Sequence, residues 1–254
     1  MSRIDVHNHY LPGMDDGCRT YADAVPCIRA FMEKGYTRFF LTPHTGPTDM
    51  CDIRPQATMA AMDEFRRQMV KAGITAEFRP GGELRLSPEM ARWTDISAVP
   101  TFGMNTRYVL ADLWEPDWPA WADQGVQWLQ NNGFTVILAH PERMMIMREN
   151  PNFIQVLADR GLLFQGNLGP LGGSEPEAQR LLAERFLKDG RYFMLGSDCH
   201  RMEHAAARLK GFDRAKELVG GKIVDQLTIE NPGKLWVPPH SGEAATKSHV
   251  ATTG

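Results

Sequence analysis

Seven short apolar runs alternate with longer helical stretches along most of this chain. The runs predict strands over residues 4–7, 37–42, 76–80, 108–112, 135–139, 162–167 and 192–197. The stretches between and after them predict helices over residues 21–34, 56–71, 119–132, 152–160, 175–188 and 205–219. Apolar strands separated by helices are typical of a parallel sheet whose faces are covered by helices. The pattern therefore predicts an α/β fold.

Polar residues cluster at the ends of the predicted strands, which favours a barrel, complete or incomplete, over an open sheet. In a barrel of parallel strands every carboxyl end lies on one face, and barrel enzymes have their active sites there. An open doubly wound sheet is the alternative. No glycine-rich phosphate loop follows a predicted strand, and this weakens the alternative.

Composition excludes several classes of protein. The 254 residues, 43% of them hydrophobic, suffice for one large α/β domain, which we expect over residues 1–237. Residues 238–254 have only scattered apolar residues and are predicted to be a disordered tail. The net charge of −3 argues against nucleic acid as a partner. Without a long apolar run or an apolar signal sequence, we expect a cytoplasmic protein that does not insert into membranes. The sequence leaves the oligomeric state open.

Histidines mark the ends of four predicted strands. The chain has eight histidines, and five of them lie at predicted strand exits: His7, His9, His44, His140 and His200. Residues two apart in a strand point to the same face, so the HxH pair at 7–9 and the DxH pair at 198–200 can each reach one ion together. A single histidine at a strand end is more often structural. Five at equivalent positions, with acids beside them, favour a functional site.

The same strand ends carry carboxylates. The acids that we expect to join the histidines are Asp16, Glu83, Asp112 and Asp198. Asp16 lies in a glycine-containing loop after the first strand, where an Asx turn is as good an interpretation as a ligand. Its neighbour Asp15 is the alternative for either role. Asp5 is predicted to support the site without being a ligand.

Nitrogen and oxygen donors without thiolate suit Mn2+, Zn2+ or Fe2+. Nine candidate ligands exceed what one ion uses, so two or three divalent ions are expected. Clustered divalent ions activate water and stabilise a transferring phosphoryl group. Arg143 follows His140 by three residues and is predicted to bind the phosphate oxygens, with Arg201 and Arg208 as further substrate contacts.

These residues resemble those of the PHP (polymerase and histidinol phosphatase) superfamily and, within it, the manganese-dependent bacterial tyrosine-protein phosphatases of the CpsB/YwqE type. The matching segments span most of residues 3–236: DVHNH at 5–9, LPGMDDG at 11–17, TPH at 42–44, GGELR at 81–85, AHPER at 139–143, GSDCH at 196–200 and NP at 231–232. The opening segment and the HPER sequence are specific to this subgroup. The HxH and DxH pairs alone indicate only the wider superfamily.

The resemblance implies a distorted (β/α)7 barrel of the PHP type with a centre of three metal ions, most readily Mn2+, with Fe2+ or Zn2+ as alternatives. Its implied ligands are His7, His9, Glu83 and Asp198 for one ion, Glu83, His44 and His140 for a second, and Asp16 and His200 for a third. Arg143 would bind the phosphate, and with Asp198 and His200 it would form the catalytic group. The implied substrate is the phosphotyrosine tail of a bacterial tyrosine kinase that controls capsule or exopolysaccharide export.

The sequence departs from this family pattern at two places. Asp112 ends a strand where similar proteins usually carry glutamate, so its shorter side chain is expected either to bind an ion through water or to hold it less tightly. The segment after His200 does not match the usual position of a second phosphate-binding arginine. Two other functions therefore stay open: a phosphatase of small esters, such as histidinol phosphate or a sugar phosphate, and a catalytically weak regulatory protein. A thiol phosphatase is not expected, because no cysteine has an arginine six positions later.

Five tryptophans fall within one 36-residue stretch: Trp93, Trp114, Trp118, Trp121 and Trp128. Trp114, Trp118 and Trp121 have helical spacing, for which core packing is the ordinary interpretation. The alternative is an aromatic rim that binds a phosphotyrosine ring.

Overall fold

The protein is described by a computed structural model over residues 2–46 and 54–237. The predicted disordered tail, residues 238–254, lies outside the described residues. The described strands are β1 (Arg3–Asp5), β2 (Tyr36–Leu41), β3 (His44–Thr45), β4 (Glu77–Pro80), β5 (Glu83–Arg85), β6 (Tyr108–Asp112), β7 (Thr135–Ala139), β8 (Leu163–Asn167) and β9 (Met194–Gly196). The α-helices are α1 (Tyr21–Met32), α2 (Pro55–Lys71), α3 (Ala120–Asn131), α4 (Met145–Glu149), α5 (Phe153–Asp159), α6 (Leu168–Leu171), α7 (Glu177–Lys188), α8 (Met202–Asp225) and α9 (Asn231–Gly233).

The strands form two parallel sheets. One has the order β1-β2-β4, and the other has the order β3-β5-β6-β7-β8-β9. An isolated parallel bridge between Asn8 and Cys199 joins the chain just after β1 to the chain just after β9. The predicted α/β fold with a curled parallel sheet is confirmed. Each predicted strand and helix has a counterpart, but the short strands β3 and β5 were not predicted.

Apolar side chains pack on both faces of the sheets, as expected for parallel strands. Along β7, Val136 and Leu138 join the large core that also contains helix residues. Ile137 and Ala139 join a smaller cluster with Phe40 of β2. Because β2 and β7 are not neighbours, this smaller cluster lies on the concave side of the curled sheet. The sheet thus curves around its own core and brings its strand ends together.

Helix starts follow from local sequence. Thr20 caps α1 with a capping box, in which its side chain accepts from the Asp23 backbone N–H while the Asp23 carboxylate accepts from the Thr20 backbone N–H. Pro55 begins α2, at a position where a missing backbone N–H costs nothing. Helix α8 is interrupted at Gly220, which has a φ of 81°, so the predicted helix over 205–219 is its first part. Within residues 2–46 and 54–237, no helix has the length and hydropathy needed to cross a bilayer.

Candidate metal centre

The predicted ligands lie together at the carboxyl ends of the strands. His7 and His9 follow β1, His44 follows β2 as the first residue of β3, and Glu83 follows β4 as the first residue of β5. The others are distributed in the same way: Asp112 at the end of β6, His140 after β7, Asp198 and His200 after β9, and Asp16 in the loop before α1. Parallel strands place these ends on one face, so residues up to 193 positions apart in sequence converge there.

All nine predicted ligands belong to groups whose nitrogen or oxygen donor atoms lie within 4.8 Å of one another. The four groups are His9, Asp16, His44 and His200; His7, His9 and Asp198; His7, Glu83 and His140; and His44, Glu83 and Asp112. Asp16 rather than Asp15 belongs to such a group, which favours the ligand interpretation of Asp16. The groups share residues, as expected of adjacent ions with bridging ligands.

Glu83 is the centre of this arrangement. Its Oε1 lies 3.0 Å from Nε2 of His140, and its Oε2 lies 3.3 Å from Nε2 of His7 and 3.5 Å from Nε2 of His9. Its Oε2 also lies 2.8 Å from Nδ1 of His44. The carboxylate is 1% exposed, so solvent cannot satisfy it. A buried carboxylate shared by several imidazoles is a geometry that divalent cations favour.

The positions of the donor atoms suit metal coordination better than hydrogen bonding among the side chains. His44 Nδ1 and Glu83 Oε2 are both buried and, although they are 2.8 Å apart, neither makes a hydrogen bond. Buried polar atoms are nearly always hydrogen-bonded, so such a pair calls for a ligand between or beside them. Nitrogen and carboxylate donors at this spacing suit Mn2+, Fe2+ or Zn2+. The residues present therefore fit the ions that the sequence predicted.

Hydrogen bonds donated by Nδ1 orient three of the histidines. His7 donates from Nδ1 to Oε1 of Gln165 at 2.7 Å, and His9 donates from Nδ1 to Oδ2 of Asp15 at 2.7 Å. His200 donates from Nδ1 to the backbone carbonyl of Asp198 at 3.2 Å. With the proton on Nδ1, each Nε2 has its lone pair free for a metal. Asp15 is therefore a supporting residue.

Asp5 and Asn167 hold the other side of the centre. Asp5 accepts from the backbone N–H and the hydroxyl of Ser197 at 3.0 and 2.8 Å, which supports its predicted role. Burial raises the pKa of Asp5 to about 6, although these hydrogen bonds oppose the rise. Asn167 donates from Nδ2 to Oδ2 of Asp198 at 2.8 Å. These contacts fix the loop that carries Asp198.

Charge at the centre is shared between acids and imidazoles. Burial lowers the pKa of His9, but the Asp15 carboxylate outweighs it and raises the pKa to about 10. Burial likewise lowers the pKa of His44, and Glu83 and the neighbouring aspartates raise it to about 12. Burial raises the pKa of Glu83, but the charges of His7 and His44 hold it well below its usual range. The carboxylates that favour protonated imidazoles favour a divalent cation for the same electrostatic reason.

Two of the predicted ligands have left-handed backbones. His140 has a φ of 33°, and Asp198 has a φ of 47°. Such conformations cost free energy in residues other than glycine, and they concentrate at functional sites. At both positions the chain leaves its strand and turns sharply, which directs the side chain to the common face.

Arg143 lies beside the ligands. Its Nη1 is 2.7 Å from Oδ2 of Asp198, and its Nη2 is 3.3 Å from Oε1 of Glu175. Burial lowers the pKa of Arg143, but these carboxylates outweigh burial and raise it above its ordinary value, so the guanidinium stays charged. Its side chain remains 32% exposed. It lines a cavity of about 550 Å³ together with seven of the predicted ligands: Asp16, His44, Glu83, Asp112, His140, Asp198 and His200.

The other two predicted arginines do not line this cavity. Arg201 is exposed and donates to the backbone carbonyl of Asp16 at 3.4 Å, and it faces a separate hollow beside Arg19. Arg208 is 5% exposed. Its Nη1 donates to the hydroxyl of Ser174 at 3.2 Å, and its Nη2 lies 3.9 Å from Oε1 of Glu175.

Sequence reasoning missed several supporting residues. Glu142 had no role in the sequence-based prediction. It is fully buried and accepts hydrogen bonds from the Asn167 backbone N–H at 2.8 Å and from the Tyr192 hydroxyl at 2.9 Å. Gln165 and Asn167 alternate along β8 and extend toward the same centre, a period-two polar pair at a strand end that could have indicated them. Glu175 stands in a loop, and no sequence signal separates it from a solvated acid.

Comparisons with known proteins agree with this geometry. The sequence profile of the CpsB/CapC family, described as capsular polysaccharide synthesis, matches residues 3–236. The tyrosine-protein phosphatase YwqE of Bacillus subtilis is 29% identical over 201 residues, which are 79% of this chain and 78% of YwqE. The tyrosine-protein phosphatase CpsB of Streptococcus pneumoniae is 20% identical over 240 residues, 91% of this chain and 97% of CpsB.

A comparison with solved structures supports the same family relationship through the fold. Crystal structures are known for YwqE from Bacillus subtilis and CpsB from Streptococcus pneumoniae, which are described as unique metal-dependent tyrosine phosphatases. A chain from these structures superposes on this protein with a TM-score of 0.82 at 26% sequence identity. The match covers 91% of this chain and 94% of that chain. The resemblance predicted from the sequence is confirmed, and the chain belongs to the CpsB/CapC family.

Proposed function

We propose that this protein is a metal-dependent tyrosine-protein phosphatase that hydrolyses phosphotyrosine in a bacterial tyrosine kinase and so regulates capsule or exopolysaccharide synthesis. The observation that carries the proposal is the convergence of nine residues with nitrogen or oxygen donors, Glu83 among them, in four overlapping groups, with Arg143 on the wall of the same cavity. Its relatives YwqE and CpsB are tyrosine-protein phosphatases, which supports this substrate class.

Two or three divalent ions, Mn2+ first and Fe2+ or Zn2+ as alternatives, are proposed to occupy the overlapping donor groups. One ion would use His7, His9, Glu83 and Asp198, a second would use Glu83, His44, His140 and Asp112, and a third would use Asp16 and His200. Bound ions of this kind polarise the phosphoryl oxygens and activate the attacking water. Support comes from the shared membership of Glu83 in two of the four donor groups.

Arg143 is proposed to bind the phosphate. Its contacts with Asp198 and Glu175 hold the guanidinium at the cavity wall, and an arginine fork matches two phosphate oxygens. Asp198 and His200 line the same cavity, and we assign them with Arg143 to the catalytic group. A tyrosine phenol, with a pKa of about 10, leaves more easily than an alkyl alcohol, so this site needs little proton donation to a phenolate.

Arg201 and Arg208 are proposed to serve substrate binding in different ways: Arg201 by direct contact, and Arg208 only through a neighbouring side chain, which corrects its predicted role as a direct contact. Arg201 is exposed beside the loop of Asp16, where a peptide flanking the phosphotyrosine would pass. Arg208 is too buried for direct contact in this state, so we assign its contribution to Glu175, which lies between Arg208 and Arg143.

We also propose that the two sheets form one distorted (β/α)7 barrel. Only residues 42–43 separate β2 from β3, and only residues 81–82 separate β4 from β5, so each pair counts as one interrupted strand. The nine strands then occupy seven positions, and the bridge between Asn8 and Cys199 supports closure between β1 and β9. On this basis residues 1–237 are one domain.

We propose a cytoplasmic location because the described cysteines are not paired in disulfides. Cys18, Cys27 and Cys199, the cysteines among the described residues, are buried and free. Unpaired cysteines suit a reducing compartment.

The experiment that tests the proposed function compares substrates and metals on the purified protein. We expect kcat/KM for a phosphotyrosine peptide to exceed that for histidinol phosphate and for sugar phosphates. Activity should disappear with EDTA, return with Mn2+, and survive replacement of all four cysteines by serine. Activity that persists after chelation would contradict the metal mechanism. A higher kcat/KM for a small ester would replace the proposed substrate, and no hydrolysis of p-nitrophenyl phosphate would favour a regulatory protein.

A further inference from the structure

Trp114 differs from the other tryptophans of its stretch. It is 41% exposed and lines the cavity that contains the candidate ligands. Trp93 and Trp128 instead pack edge to face at 5.8 Å, and Trp118 packs against Phe153 at 6.4 Å. A large aromatic side chain that keeps this much of its surface exposed in a polar cavity is poorly explained by core packing.

The indole of Trp114 makes three contacts with the site. Its Nε1 donates to Oδ2 of Asp112 at 2.5 Å. Its ring meets the His44 imidazole edge to face, with centroids 5.6 Å apart. The guanidinium carbon of Arg85 lies 3.9 Å from the centroid of the ring, within the range of a cation–π contact. Trp114 is therefore fixed in position by a candidate ligand on one side and by a cation on another.

The bond to Asp112 constrains how this short carboxylate meets a metal. Since Trp114 holds Oδ2, the other oxygen is left toward the ligands, with Oδ1 3.8 Å from Nδ1 of His140. A donor that occupies one oxygen of a ligating carboxylate fixes its rotamer, and loss of such a partner commonly weakens metal binding about 10- to 100-fold. The indole N–H thus fixes the orientation of a carboxylate that is one methylene shorter than glutamate.

The ring of Trp114 also shapes the mouth of the cavity. Pro116, Met144 and Met145 line the cavity with it, and Met145 is 36% exposed. Aromatic rings bind other rings and thioethers through face and edge contacts, beyond the effect of apolar area. A phosphate monoester seated at Arg143 would extend its leaving group toward this apolar part of the wall.

We propose that Trp114 is a specificity-determining residue with two separable tasks, which rests on the phosphotyrosine phosphatase function proposed above. Its ring binds the aromatic leaving group of the substrate, and its N–H orients Asp112 for metal binding. The protein thereby links recognition of an aryl phosphate to the same residue that completes the metal centre.

Trp114→Phe and Trp114→Leu separate the two tasks, because phenylalanine keeps a ring without the N–H and leucine keeps neither. Trp118→Phe is the matched control, since Trp118 also donates from Nε1 to an aspartate, Asp123, at 2.7 Å but does not line the cavity. Mn2+ affinity is measured by calorimetry on EDTA-stripped protein. Ring recognition is measured as the ratio of inhibition constants of methylphosphonate and phenylphosphonate, which needs no turnover of an alkyl substrate.

Trp114→Phe should weaken Mn2+ binding about 10- to 100-fold and keep the preference for phenylphosphonate. Trp114→Leu should weaken Mn2+ binding equally and also lower that preference about 3- to 10-fold. Trp118→Phe should change neither quantity.

Wild-type Mn2+ affinity in both Trp114 variants would overturn the orienting task, and an unchanged ratio of inhibition constants in Trp114→Leu would overturn ring recognition. If the wild-type protein does not hydrolyse phosphotyrosine, the proposed function is refuted instead. That outcome is distinguishable, because the Trp114 tests compare Mn2+ affinity and inhibition constants between variants of one protein.

Discussion

His140 and Arg143 show how one short turn serves two chemical tasks. Pro141 begins a 3₁₀ turn directly after the left-handed His140. The turn brings the imidazole Nε2 to 3.0 Å from Oε1 of Glu83 and the guanidinium Nη1 to 2.7 Å from Oδ2 of Asp198. The proposed metal donor and the proposed phosphate-binding group therefore lie side by side but contact different carboxylates.

Separate substitutions should distinguish these tasks. His140→Ala removes a nitrogen donor next to Glu83, so we expect loss of both bound metal and activity. Arg143→Ala leaves every donor in place, so we expect metal content to persist while kcat/KM falls about 100-fold or more, the scale for loss of one charge-stabilising group. Elemental analysis of the purified variants and kinetics on p-nitrophenyl phosphate measure the two effects.

Arg148 provides the control for this comparison, because it lines the same cavity and is exposed. Arg148→Ala should retain both metal and most of the activity. If Arg143→Ala lost its metal together with its activity, the arginine would be a support of the metal centre through Asp198, and its assignment to phosphate would be wrong.

At this scale the sequence predicts ligands better than their partners. Histidines and acids close to the ends of apolar runs are visible in the sequence, and all nine predicted ligands fall within the donor groups. The partner that orients His7 is Gln165, 158 residues away. The alternation of Gln165 and Asn167 marks the end of β8 as polar, but it does not indicate which residue Gln165 contacts. That contact depends on β1 and β8 approaching the same face of the sheet.

Helices α6 and α8 pack so closely that only glycine fits between them. A Cβ at Gly211 of α8 would lie 1.9 Å from the backbone oxygen of Leu168, and a Cβ at Gly172 would lie 1.7 Å from that of Ala207. Helix α6 directly follows Asn167, which bonds Asp198, and α8 carries Arg208. The contact therefore positions two elements that contact the candidate metal centre.

Gly211→Ala should destabilise the protein. The added methyl group meets backbone that cannot rotate away, so we expect the free energy of unfolding to fall by about 1–3 kcal/mol or more. Gly221→Ala lies in the same helix with nothing within 4 Å of its Cβ, and it should be neutral or stabilising by up to about 1 kcal/mol. Urea unfolding of both variants gives the two values. Equal stability of the two variants would show that α6 moves to accommodate the methyl group.

The alternation of apolar runs predicted the main strands and helices, but it did not predict strands β3 and β5. His44–Thr45 and Glu83–Arg85 are two and three residues long and begin with polar ligands, so no apolar period marks them. Their pairing depends on neighbours: His44 pairs with Glu83, and Glu83 with Leu110 of β6. Strands this short therefore depend on the strands with which they pair, and no local pattern marks them.

For the whole molecule, the predicted ligands come from both sheets. His7 and His9 follow β1 of the three-stranded sheet, whereas Glu83 and Asp112 belong to β5 and β6 of the six-stranded sheet. The sequence indicates that these residues share a face, but it does not show that the strands divide into two sheets at residues 42–43 and 81–82. That division follows from backbone pairing that side-chain patterns do not encode.

Metal binding should therefore stabilise the entire fold. Ions that bind the folded state alone, at about 100 times their dissociation constant, add about 2.7 kcal/mol, which corresponds to a rise in Tm of about 5–10 °C for a chain of this length. We expect EDTA-stripped protein to melt lower by this amount and to recover with Mn2+, as measured by calorimetry. His140→Ala should recover less, because its donor set is incomplete. A Tm that is independent of Mn2+ would mean that no metal joins the two sheets.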